Sequence, residues 1–458
     1  MSSSPSHHHR RQPKLNRDHA RPRGAPGPSS EQVAARLTEL VQPATYAVAE
    51  QYRRYGLRWR VLTLPVMVAL LLTLIWRQVP SVRTLAGLLA REPLLWEPPR
   101  RVSQQALSQR LRVLPAALLG DVLAATLPGL QARAAARARP EPPAVARARA
   151  RFGRVWVVDG TTLEQVFRKV GLLRAATGPA PAAGKCVAVL DVASHQPVRI
   201  WVGDVPTAND KRWLPALREL LALPTTGGEP AVPPPSPPPA PTCGLLVFDG
   251  GFYAFAFFDW LTGHAVGFLT RARADAAFSV ERVLYSSPTA RDRIIRLGQY
   301  RSNRCAHPVR LVEVQVGGAW RADLTNVLDP EALSLPDVVD LYSRRWKGED
   351  AFLLVKRLLG LSYLWSGAHN AIAMQVWATW LFYAVLVDLA DTLGVPLERV
   401  SLEMVFRSLY FFCAAAARGK ADDPVAYLAA QTDLGILKPP RPKRDRERLD
   451  KLPPELNL

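Results

Sequence analysis

The chain has 458 residues, 48% apolar and 21% charged, which suits a globular protein and excludes a fibrous or wholly disordered one. A formal net charge of +20 and a pI near 10.3 favour a polyanionic partner, nucleic acid ahead of an anionic membrane surface. Four scattered cysteines, Cys186, Cys243, Cys305 and Cys413, form no CxxC pair, so no disulfide framework or zinc site is expected and a reducing cytoplasm fits.

Residues 1–30, rich in Ser, Pro, Arg and His, read as a disordered basic tail without the apolar stretch of a secretion signal. Residues 31–127 read as a helical N-terminal region. Within it, Val61 to Trp76 is an apolar run of 16 residues, short of the roughly 20 that span a bilayer, and so reads as a buried helix. Ser81 and Ser103 each precede a short helical pattern as a cap. The second pattern turns Gln104, Gln105, Ser108 and Arg112 to one side. That face suits a helix reading a DNA major groove, or equally a packing helix with a solvated face.

Residues 128–153 read as a basic linker or partly helical connector. Strands are expected in Arg154-Val-Trp-Val-Val-Asp159, in 186–193, in 197–202, in Gly244-Leu-Leu-Val-Phe-Asp249 and in 265–270. A helix is expected over 210–223. Residues 224–241 are about half proline and must form an exposed loop. Residues 275–330 are β-prone, with Gly317-Gly318 marking a hairpin. One helix is expected from about Leu335 to Leu359, and helices again over 367–437, where Ala371 to Val387 reads as a core helix. A loose tail, 438–458, follows.

The segment Tyr342-Ser-Arg-Arg345-Trp346-Lys-Gly-Glu349-Asp-Ala-Phe-Leu-Leu-Val-Lys356 holds the densest signal. At about 100° per residue, Tyr342, Arg345, Glu349 and Lys356 share an arc of roughly 60° on one helix. Such a stripe suits a metal held beside a phosphate. Asp159 and Asp249 each close a buried apolar run and precede glycine. Two strand-ending aspartates and a helical glutamate supply the hard oxygen ligands that Mg²⁺ or Mn²⁺ prefers. Two such ions about 4 Å apart would serve phosphodiester cleavage. Asp191 and Asp204 are competing carboxylates, one inside a strand and one in a turn. Arg345 and Lys356 would grip phosphates, Tyr342 would bond one, and Trp346 and Trp320 are candidates for stacking on a base.

These motifs resemble those of DDE transposases of the bacterial IS-four type. Tyr342, Arg345, Glu349 and Lys356 match that family's Y-(2)-R-(3)-E-(6)-K signature at every position. Val157-Val-Asp159-Gly-Thr-Thr resembles its first-Asp motif, and Phe248-Asp249-Gly-Gly-Phe252-Tyr253 its second, where the family often has Arg at the place of Gly250. Leu324-Thr-Asn-Val-Leu-Asp-Pro resembles the approach to the third.

The resemblance implies an α/β fold with a ribonuclease H-like catalytic core, here 154–274 and 331–366, interrupted by the β-rich insertion 275–330. It implies a helical DNA-binding region before the core and helices after it. It further implies Mg²⁺-dependent (or Mn²⁺-dependent) cut-and-paste transposition with two ions per site, catalysed by Asp159, Asp249 and Glu349. A hairpin intermediate, base flipping onto Trp346 or Trp320, and a homodimer pairing two terminal inverted repeats with target DNA belong to the same expectation. The protein would then work at the nucleoid, away from any membrane. A catalytically silent DNA-binding relative and a structure-specific nuclease without strand transfer share these features and remain open.

Overall fold

A computed structural model describes residues 27, 30–53, 61–162, 184–203, 205, 208–222, 244–316, 318–357, 368–430 and 435–438. Nearly all of both expected tails, the proline-rich loop and Asp204 lie outside the described residues.

Helices come first: α1 (Glu31–Arg53), α2 (Leu64–Trp76), α3 (Val82–Leu89), α4 (Gln104–Val113), α5 (Ala117–Ala136) and α6 (Pro143–Phe152). The serine caps form as expected. Ser81 accepts from the Thr84 amide and Ser103 from the Ala106 amide, each at 3.1 Å. Every residue of α2 is buried. The stretch 128–153 begins inside α5, which runs unbroken through the expected boundary, and includes all of α6. Its arginines bind the helix α11 (His369–Asp391): Arg137 reaches Asp388 at 2.8 Å and Arg139 reaches Asp391 at 2.7 Å. α11 is long and apolar enough to cross a membrane, yet 89% of its apolar window is buried inside the protein, which marks a core helix.

The middle of the chain builds β1 (Val155–Thr162), β2 (Lys185–Asp191), β3 (Pro197–Gly203), α7 (Leu214–Ala222), β4 (Leu245–Phe248), α8 (Phe255–Gly263) and β5 (Gly267–Arg271). Then come β6 (Phe278–Ser286), β7 (Ala290–Leu297), β8 (Val309–Val316) and β9 (Ala319–Thr325). Among the described residues these form one nine-stranded sheet in the order β3-β2-β1-β4-β5-β9-β8-β7-β6. β1, β2 and β3 run antiparallel, while β4 and β5 run parallel to β1. The β-rich stretch 275–330 therefore does not stand apart from this sheet. β9 pairs antiparallel with β5 and carries the ladder outward. Gly318, at φ +85°, turns the β8–β9 hairpin. β6 at the rim is largely exposed and carries Glu281 and Arg282, charges that discourage further pairing.

The inner strands are apolar on both faces, as parallel strands covered on both sides must be. On β4, Leu246 and Phe248 join a core with α7 and α8, while Leu245 and Val247 join the opposite core with α6 and α9 (Leu335–Ser343). A third core gathers α1 to α5, α10 (Trp346–Arg357), α11, α12 (Leu402–Ala416) and α13 (Pro424–Ala430) against Cys186, Ala188 and Leu190 of β2. Helices from before and after the sheet thus share one interior.

Candidate active site

β1 brings its aspartate forward by strand alternation. Val155 and Val157 face the α6–α9 core, and Asp159, two residues on, continues their parity. Asp159 lies within β1 rather than at its end, because pairing with β2 continues to Thr162. Val158 pairs with Phe248 on the parallel β4, and this is the last rung of that ladder, so Asp159 and Asp249 each come directly after it. β4 stops there because Asp249 caps a short 3₁₀ turn, accepting from the Gly251 amide at 2.9 Å.

The third carboxylate arrives on a broken helix. The single helix expected over 335–359 is two: α9 ends at Ser343, and α10 begins at Trp346. Tight bonds from the Arg344 amide to Leu341 O and from the Arg345 amide to Tyr342 O close α9. The common arc of Tyr342, Arg345, Glu349 and Lys356 therefore does not exist as one helical stripe. The break turns Arg345 inward instead. Its Nη2 donates to Glu349 Oε1 at 2.8 Å, and its Nη1 lies 3.6 Å from Asp159 Oδ2. Gly348 lets α10 approach β1 closely, since a Cβ there would come within 3.2 Å of the Asp159 Cβ.

Burial pushes the Asp159 carboxyl up to about 7; Arg345 opposes this, while Asp249 and Glu349 add to it. Burial also raises Asp249, with the Gly251 amide opposing and Asp210 contributing. Asp159 is thus repelled by Asp249 and Glu349 and leans on the Arg345 guanidinium.

Tyr342 is buried, with the guanidinium carbons of Arg271, Arg321 and Arg345 at 4.6, 5.3 and 5.9 Å from its ring centroid. Lys356 donates to the Thr161 hydroxyl on β1, and burial lowers its pKa. Trp346 is 59% exposed beside Arg345, its ring 5.2 Å from that guanidinium. Trp320 is also exposed but belongs to another cluster, with Arg291 stacked over it at 4.5 Å. Of the competing carboxylates, Asp191 ends β2 and serves its turn, accepting from the Ala193 and Ser194 amides.

Sequence reasoning missed Asp210 and Lys185, whose Nζ and Oδ1 lie 2.5 Å apart. Asp210 packs against the Gly160 and Gly251 backbones, where added Cβ atoms would meet its oxygens at 2.6 and 2.4 Å. It also missed Asp323, buried between Arg271 and Arg321 and pushed up to about 6 by that burial. Nothing in their spacing marks these residues; only the Gly-rich neighbours of the two aspartates hint at a close approach.

Among the described residues no group of three His, Cys, Asp or Glu side chains stands ready to hold a metal ion. The donor chemistry nevertheless fits a hard divalent cation. Asp159, Asp249 and Glu349 offer only carboxylate oxygens, and their mutual repulsion is relieved by positive charge, which Arg345 supplies between two of them.

No curated protein matches the chain. Among solved structures it is similar to a cryo-EM structure of a piggyBac transposase synaptic complex with hairpin DNA, at 11% identity, covering 94% of this chain and 88% of that one, with a TM-score of 0.35. The family model described as a transposase DDE domain matches residues 151–381, half of the chain and the stretch bearing all three carboxylates, and the chain belongs to that family.

Proposed function

We propose that this protein is a cut-and-paste transposase of the IS-four type, cleaving DNA at the ends of its own insertion sequence and joining the freed 3′-OH to target DNA. One observation carries the reading: Asp159 and Asp249 directly follow the last paired residues, Val158 and Phe248, of neighbouring parallel strands, and Glu349 is tied to Asp159 through Arg345. The strand order β3-β2-β1-β4-β5, antiparallel then parallel, with helices on both faces, supports a ribonuclease H-like core.

Asp159, Asp249 and Glu349 would hold Mg²⁺ or Mn²⁺, two ions at full loading. Such ions supply Lewis-acid polarisation of the phosphate and a deprotonated water or 3′-OH. The protein's own residues do the rest. Arg345 holds Glu349 and Asp159 against repulsion and presents a planar donor set to a phosphate. Arg271 and Arg321 add positive charge behind Tyr342. Lys356 braces α10 on β1 at Thr161. The bare Trp346 ring suits stacking on a base flipped out near a hairpin end, with Trp320 a second candidate. The exposed Gln104, Gln105 and Arg112 of α4 offer a face for terminal-repeat DNA. Two copies would pair two ends, acting at the nucleoid.

The test is incubation of the full chain with Mg²⁺ and DNA carrying the inverted repeats that flank its coding region. Nicked, hairpin and joined products are expected from wild type and none from Glu349→Gln. Equal cleavage by that variant removes Glu349 from the site. Cleavage without joining leaves a structure-specific nuclease. DNA binding without a divalent-ion site that depends on Asp159 leaves a silent relative.

A further inference from the structure

A second feature lies beside the carboxylates and has no part in the roles assigned above. A cleft of about 440 Å³ opens between the turn that follows Asp249 and the connection joining β7 to β8. Lys211, which follows Asp210, and Tyr253, four residues past Asp249, line one part of it; Arg273, Arg301 and Arg304 line another.

The cleft is built rather than incidental. Tyr253 is 5% exposed, yet its hydroxyl has no partner among the described residues. Burial pushes that phenol up to about 12, so it remains a neutral donor. A buried donor without an acceptor is costly and calls for one from outside. The acids nearby are already engaged. Asp259 accepts from Cys305 Sγ at 3.1 Å and from the Ala306 and His307 amides at 2.9 and 3.0 Å, which fastens the β7–β8 connection to α8. Asp275 pairs with Arg273 at 3.1 Å. Lys211, Arg301 and Arg304 are exposed and make no ion pair among the described residues. Tyr300, next to Arg301, is 84% exposed, a bare ring among cations.

We propose that this cleft binds the DNA strand next to the scissile phosphate: Arg301, Arg304 and Lys211 meet its phosphates, the Tyr253 hydroxyl donates to one, and Tyr300 stacks on a base. Exposed cations lining a cleft beside an exposed aromatic ring are the elements of a strand-tracking groove. A protein or lipid partner would leave unexplained why the groove opens a few residues from both Asp210 and Asp249. The assignment rests on the reading that the carboxylates act on DNA.

Two labelled duplexes test it by fluorescence anisotropy in chelator, so that cleavage is not the readout. One ends at the tip of the terminal repeat; the other continues about ten base pairs into flanking DNA, roughly one helical turn. For Arg301→Ala/Arg304→Ala, binding of the longer duplex should weaken on the order of 10-fold, and its salt slope should fall by about 1.8 for two lost phosphate contacts. The shorter duplex should bind as in wild type. Tyr253→Phe and Tyr300→Ala should each weaken the longer duplex by roughly 5-fold, as expected for one lost hydrogen bond or one lost stacking contact. Equal losses on both duplexes, or none on either, overturn the cleft assignment while wild type still cleaves repeat ends with Mg²⁺. Wild type that cleaves no repeat end overturns the parent reading and the cleft with it.

Discussion

Arg345 and Glu349 are joined across the first turn of α10, Nη2 to Oε1 at 2.8 Å, and the same guanidinium extends toward Asp159. The third carboxylate is thus held by a cation from its own helix start before any ion or DNA is bound. Glu349→Gln keeps the shape and the hydrogen-bonding oxygen but removes the charge. On the proposed reading, cleavage of repeat-end DNA should fall by at least about 100-fold, because Glu349 would be a charged ligand to the ions. The side chain is 40% exposed, so stability should change by no more than about 0.5 kcal/mol. Single-turnover cleavage and urea unfolding of the same preparation check both halves.

Asp159 sets a pH dependence. With its carboxyl pushed up to about 7, a proton must leave before the oxygens can bind a cation. Divalent affinity should therefore level off above pH 7 and drop roughly tenfold per unit below it, one proton being displaced. Folding stability moves the other way. The folded state holds this proton more tightly than the unfolded chain, so the contribution is full below about pH 4 and is lost as pH rises through 7. Mn²⁺ calorimetry and thermal melts from pH 4 to 8 should show both trends, and Asp159→Asn should flatten the melts. A flat Mn²⁺ profile in wild type would contradict the assignment.

Gly250 and Gly251 are adjacent yet should respond oppositely to substitution. An added Cβ meets nothing within 4 Å at Gly250 but lies 2.4 Å from Asp210 Oδ2 and 3.0 Å from Asp249 Oδ1 at Gly251. Asp210 cannot swing away without breaking its bond to Lys185. Gly251→Ala should weaken Mn²⁺ binding about 10-fold or more through a displaced Asp249, an effect of roughly 1.4 kcal/mol. Gly250→Ala and even Gly250→Arg should bind Mn²⁺ as wild type does. Parallel titrations of the three variants decide it.

The β-rich part of the sheet is pinned by a buried ion pair. Arg310 is fully buried, with Nε and Nη2 on the Asp292 carboxylate at 2.7 and 2.5 Å and Nη1 on Leu333 O at 2.6 Å. Asp292→Ala strands a desolvated cation and should cost about 3–5 kcal/mol. Replacing both partners, as Asp292→Leu/Arg310→Met, should cost less than Asp292→Ala alone. Denaturant midpoints of the three proteins measure the difference.

Much of the centre is legible in the sequence, for definite reasons. Val155 to Val158 and Leu245 to Phe248 are apolar because both of their faces are covered, and that run announces a buried strand before each aspartate. The Ser81 and Ser103 caps act within a few residues, so local chemistry reveals them. The break before Trp346 escapes notice because the hydrophobic spacing of α9 and α10 is compatible with one helix. What interrupts it is tertiary: Arg345 turned onto Asp159, which lies 186 residues earlier in the chain. Lys185 of β2 and Asp210, which follows β3, meet only in the folded chain, where Asp210 packs against Gly160 and Gly251. Likewise, alternation marks residues 309–325 as strands, but it does not tell which sheet edge they will lengthen.

Phe352 of α10 packs edge-on against Trp380 of α11, with ring centroids 5.4 Å apart, so the helix that carries Glu349 is held to the helical layer as well as to β1. The centre is consequently assembled from two layers, the sheet side supplying both aspartates and a helix the glutamate, and Arg345 and Lys356 fasten the one to the other.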